Sequence, residues 1–85
     1  MKIFKYEVGG DTILTPIRRQ ILKAGRDPTG KLCIWILIDE TSECNVPLRT
    51  IVVGTGHDVP DGYTYVDTYN EGPFVWHIFV LETAL

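Results

Sequence analysis

The chain has 85 residues, a formal net charge of −3, 45% hydrophobic residues and two cysteines. That length makes one domain with a marginal core; the acidic balance excludes a duplex nucleic-acid binder, which needs a basic face; and no apolar run approaches the roughly 20 residues with which a helix spans a bilayer. Met1-Lys2-Ile3-Phe4-Lys5-Tyr6 alternates instead of forming an apolar leader, and Cys33 and Cys44 lack the spacing of a zinc site or a disulfide framework, so the expectation is a reduced, soluble, cytoplasmic protein with no metal and no cofactor.

Residues 2–8 read as a strand, with Phe4, Tyr6 and Val8 on one side and Ile3, Lys5 and Glu7 on the other. Gly9-Gly10-Asp11 is a turn signal. Residues 12–15 form a short extended piece stopped by Pro16, and residues 16–19 have room for a single helical turn. Residues 20–25 and 31–39 flank Arg26-Asp27-Pro28-Thr29-Gly30, a hairpin loop. Residues 40–48 read as a polar connection and residues 49–53 as the next strand. Residues 54–62 are loop. Residues 63–70 alternate, which predicts Tyr63, Tyr65, Asp67 and Tyr69 on one face and Thr64, Val66 and Thr68 on the other. Glu71-Gly72-Pro73 turns into a last strand over residues 74–82.

Six or seven short strands predict an all-β fold, an antiparallel sandwich or small barrel with no substantial helix. Residues 32–38 and 74–81 are apolar on both faces, the pattern of central strands covered on both sides. One small chain can hardly supply both covers, so a homo-oligomer is expected. Cys33, within Leu32-Cys33-Ile34-Trp35, reads as a buried hydrophobe.

Val53-Gly54-Thr55-Gly56-His57-Asp58 breaks an apolar run with two glycines, a hydroxyl and an imidazole. Loops at strand ends are common places for binding residues. Taken together, Gly30-Lys31-Leu32-Cys33-Ile34-Trp35-Ile36-Leu37-Ile38-Asp39, Val52-Val53-Gly54-Thr55-Gly56-His57 and Phe74-Val75-Trp76-His77-Ile78-Phe79 resemble a family of small bacteriophage and prophage proteins, across most of the chain. The resemblance implies a phage origin and action in the host cytoplasm, and it carries no enzymatic role.

The loop lacks the G-x-x-x-x-G-K-[ST] spacing of a P-loop and the helix of a dinucleotide fingerprint. A Gly-Thr-Gly backbone can still present N–H groups to an anion. Thr55 adds a hydroxyl and His57 a ring donor, and Arg49 opens the strand that feeds the loop. The competing reading is a tight turn in which His57 caps the loop. Tyr63, Tyr65 and Tyr69 would stack a base or line a subunit interface, whereas Trp35 and Trp76 read as core. His77, inside an apolar strand, reads as a hydrogen-bonded core residue. A Cys44–His57 nucleophile–base pair would need a geometry that spacing alone does not show. No catalytic residues and no metal ligands are therefore assigned, and an enzyme is not expected. The expected ligand site is Arg49, Thr55, Gly56, His57, Tyr63, Tyr65 and Tyr69, taking a small nucleotide in an intersubunit pocket. The reading is of a protein that sequesters a host immune signal of the cyclic ADP-ribose or cyclic oligonucleotide type. The alternatives are a protein-interaction inhibitor or adaptor using Asp58, Asp61, Glu40 and Glu43, or a minor virion component.

Overall fold

A computed structural model describes residues 1–10, 12–42 and 44–82; Asp11 of the first turn and Glu43 of the acidic set lie outside them. Seven strands follow in order: β1 Lys2–Glu7, β2 Ile13–Pro16, β3 Arg19–Arg26, β4 Leu32–Ile38, β5 Asn45–Gly54, β6 Thr64–Glu71 and β7 Phe74–Glu82. All pairings are antiparallel, in two sheets of order β1-β4-β3 and β2-β5-β7-β6. The fold is all-β, with no helix among the described residues.

The two strands that are apolar on both faces, β4 and β7, each have neighbours on both sides. Their inner rows make the core: Ile34, Ile36 and Ile38 from β4 pack with Ile78 and Val80 from β7, joined by Ala24 and Leu48. Burying a side chain of this size contributes about 1.5–3 kcal/mol relative to leaving it exposed. Cys33 is 1% exposed, and burial pushes its thiol pKa upward.

The β3–β4 hairpin is fixed by Asp27, which is buried although charged. Its Oδ1 accepts from the Thr29 N–H (2.9 Å), the Thr29 hydroxyl (2.7 Å) and the Lys31 N–H (2.9 Å), and its Oδ2 accepts from Lys5 Nζ at 2.7 Å. The Lys5 contact, then the Thr29 hydroxyl, hold this carboxyl well below the usual carboxylate range. One acid thereby closes the loop and clips it to β1.

The sheets meet along β3 and β6, and both strands bulge there. The β3 register shifts between Ile21 and Lys23, and the β6 register between Tyr65 and Asp67. Asp67 Oδ2 accepts the Ala24 N–H across the seam at 3.1 Å, and its Oδ1 accepts the Thr68 N–H at 2.8 Å. Arg26 donates through Nε (2.9 Å) and Nη2 (2.6 Å) to Glu71 Oε2, with its guanidinium 5.9 Å from the Tyr69 ring centre.

Three expectations need correction. The β6 bulge breaks the single tyrosine face: Tyr65 pairs with Phe79, whereas Asp67 pairs with Ile78 and Tyr69 with Trp76. Tyr65 therefore lies with the outward row of β7 and Tyr69 with its inward row, because one extra residue reverses a period-two pattern. Residues 16–19 make no helical turn; the chain bends at residues 17–18 and enters β3 directly. The expected polar connection over residues 40–48 ends early, since β5 starts at Asn45 and buries Val46 and Leu48. Pro47, which usually breaks a central strand, sits opposite Leu14 of β2, and the pairing with β7 begins one residue later among the described residues.

Candidate binding cleft and hydroxyl–imidazole relay

β5 ends at Gly54, which pairs with Trp76. The inner row of β7 continues past its buried part as Trp76, half-buried, and Phe74, 59% exposed. Val52, opposite Ile78, is also partly exposed. The Phe74 and Trp76 rings stack with centroids 6.0 Å apart and an interplanar angle of 28°. Gly54, Thr55, His57, Pro73, Phe74, Val75 and Trp76 enclose an open cleft of about 450 Å³.

The two glycines serve different purposes. Gly56 has φ +89°, the left-handed region that L side chains rarely adopt, so it makes the turn. Gly54 leaves room for the cleft side chains: a Cβ there would stand 3.3 Å from the Trp76 ring and 3.4 Å from His57 Nδ1 and would press on them by a few tenths of an ångström. The His57 N–H donates to the Gly54 carbonyl at 3.1 Å, and the Thr55 N–H to the Val75 carbonyl at 3.3 Å. The tight turn and the cleft are thus the same structure.

On the outward side of β7, His77 holds two hydroxyls. Its Nε2 is 2.8 Å from Thr55 Oγ1 and its Nδ1 is 2.9 Å from Thr68 Oγ1. Thr68 Oγ1 is in turn 2.7 Å from Tyr65 Oη. The result is a relay, Thr55–His77–Thr68–Tyr65, drawn from the β5–β6 loop, β7 and β6. A neutral imidazole donates from one nitrogen and accepts at the other, so it orders the hydroxyl protons along the line. The bulge is what admits Tyr65: it puts Tyr65 and Thr68 together on the His77 side. Thr55 belongs to both features, as cleft wall and as relay terminus.

Of the expected ligand residues, Thr55, Gly56 and His57 come together here. Arg49 does not join them: it is exposed, opposite Leu81, and five residues of strand put its Cα about 17 Å from Gly54. Tyr63 is half-buried just before β6, Tyr65 is in the relay, and Tyr69 packs against the core and under Arg26. None of the three tyrosines lines the cleft, whose aromatic walls are Phe74 and Trp76. Trp76, read from sequence as core, is a cleft residue. His77 is hydrogen-bonded as expected, but to two side-chain hydroxyls. Thr68 carried no signal of its own, since pairing it with His77 requires the strand register.

Among the described residues no cluster of three or more His, Cys, Asp or Glu is placed to hold a metal ion, and no helix is long and apolar enough to cross a membrane. No curated protein and no solved structure matches the chain. The chain belongs to the family described as Domain of unknown function (DUF7352), which matches residues 1–84.

Proposed function

We propose that this protein binds a small planar anion, best matched by a nucleotide, in the cleft between the Gly54–His57 turn and the Phe74–Trp76 pair. The aromatic pair beside the Gly54–His57 turn is the observation that carries the reading. Stacking on Phe74 or Trp76 would hold a base, as aromatic side chains do for bases of any sequence. The ring of His57 and the Gly56 N–H would meet phosphate oxygens, the Thr55 and His57 N–H groups being already bonded. A cleft of about 450 Å³ falls within the range of small-ligand sites, roughly 300–1,000 Å³.

The finer reading is sequestration of a host immune nucleotide by a phage-encoded, cytoplasmic homo-oligomer. It is supported by the open cleft and by the exposed apolar residues beside it, Val52, Phe74 and Val75. A second copy laid over that rim would cover them and enclose a ligand larger than one nucleotide unit. The test is differential scanning fluorimetry against mononucleotides, cyclic ADP-ribose and cyclic oligonucleotides, with Phe74→Ala as control. A ligand at 100 times its Kd stabilises by about 2.7 kcal/mol, a clear shift that Phe74→Ala should reduce. No shift with any member, or a shift indifferent to Phe74, refutes the proposal.

A further inference from the structure

We infer that Thr55 is an acyl-accepting nucleophile with His77 as its base, giving the outward side of β7 an esterase activity toward activated esters such as aryl acetates. The inference concerns the hydroxyl side of Thr55 and does not depend on the nucleotide reading. It runs against the expectation from sequence that no catalytic pair is present.

Binding alone does not call for the relay. An anion-binding hydroxyl needs only its proton, whereas Thr55 Oγ1 stands 2.8 Å from His77 Nε2, within the 2.6–3.2 Å reach of a general base. The second ring nitrogen is held by Thr68 Oγ1 at 2.9 Å, and Thr68 by Tyr65 Oη at 2.7 Å. A nucleophile bonded to a base that is oriented by a third group is the arrangement shared by acyl-transfer enzymes on unrelated folds. Thr68 and Tyr65 are positioning residues: they hold the His77 ring from its Nδ1 side, and the reaction uses the tautomer in which Nδ1–H donates to Thr68 and Nε2 accepts from Thr55.

The chemistry closes on the residues present. Thr55 Oγ1 attacks the ester carbonyl carbon while its proton passes to His77 Nε2. The tetrahedral intermediate collapses, the C–O bond to the leaving group breaks, and that proton leaves with the phenol. Water then attacks the acyl-Thr55 ester with His77 taking its proton, the acyl–Oγ1 bond breaks, and the proton returns to Thr55 as the carboxylic acid departs. In the Thr55–His57 turn the Thr55 and His57 N–H groups are already bonded, so the Gly56 N–H is the backbone donor that the turn offers to a developing oxyanion. The relay ends on neutral hydroxyls instead of a carboxylate, so both steps are slow, and acylation is the better readout.

The full chain is incubated with p-nitrophenyl acetate, nitrophenolate release is followed, and the acetylated peptide is located by mass spectrometry. Thermal unfolding of every variant reports folding. The expected result is one acetyl group on Thr55, retained in Thr55→Ser and absent in Thr55→Val. Acylation should fall about 100-fold in His77→Gln, in line with the usual contribution of a general base. Thr68→Val should lower the maximal rate with KM little changed. If His77→Gln does not fold, the Thr55→Ser and Thr55→Val pair still decides. No acetylation of Thr55, acetylation on lysines alone, or equal rates in wild type and Thr55→Val overturns the inference, whatever the nucleotide experiment shows.

Discussion

Asp67 offers the most direct check on how the seam builds the site. Its Oδ2 accepts the N–H of Ala24, a residue 1% exposed, and its Oδ1 accepts the N–H of Thr68. Replacing Asp67 with Ala removes the charge-assisted hydrogen bond across the seam to Ala24, worth about 1.5–3 kcal/mol, and leaves that buried N–H without its acceptor, a loss of similar size. These are two descriptions of one interaction, so about 2–3 kcal/mol is expected in total. At about 4–8 °C per kcal/mol for a domain of this size, the melting temperature should drop by roughly 8–24 °C. Asp67→Asn keeps a carbonyl acceptor and should lose no more than about 1 kcal/mol. Urea unfolding followed by circular dichroism gives the free energies, and amide exchange at Ala24 should rise in the Ala variant. A loss under about 0.5 kcal/mol, or equal losses for Ala and Asn, would refute the claim that this carboxylate holds β6 to β3.

Ile36→Ala, in the dry centre of β4, should cost about 2–5 kcal/mol by urea unfolding. Asp27 stabilises the hairpin only when ionised and its folded pKa is depressed. Its contribution is therefore fully present above the unfolded Asp value of about 3.9 and is lost as the pH falls through the folded value. Asp27→Asn should flatten the acid limb of the stability–pH curve and lower the plateau. Iodoacetamide should label Cys44, which is exposed, and spare Cys33 until the protein unfolds; equal labelling of both would contradict the core packing. Gly54→Ala should weaken ligand binding severalfold with little change in melting temperature, because its Cβ presses on Trp76 and His57.

Much of the fold could be read from local chemistry. The hairpin over residues 26–31 announces itself through Asp-Pro-Thr-Gly, and β4 and β7 through apolar residues on both faces. What escaped depends on contacts distant in sequence. Val66 is a good strand residue in an alternating run; that it forms a bulge follows from β3 bulging opposite and from Asp67 reaching Ala24, 43 positions away. The slip moved Tyr65 to the His77 side and Tyr69 to the core side, so an even stripe in sequence became two unrelated environments. Thr55, Gly56 and His57 were legible because Gly-Thr-Gly-His interrupts a strand. Their aromatic partners were not, because Gly54 meets Trp76 only through the β5–β7 register.

The central claim is that Trp76 is a wall of the ligand site. Its fluorescence can be isolated in a Trp35→Phe background and titrated with the nucleotide giving the largest thermal shift. Stacking should quench or shift the Trp76 emission along a saturable curve with the same Kd as calorimetry. Saturable calorimetric binding with no change in Trp76 emission would place the ligand elsewhere and contradict the account.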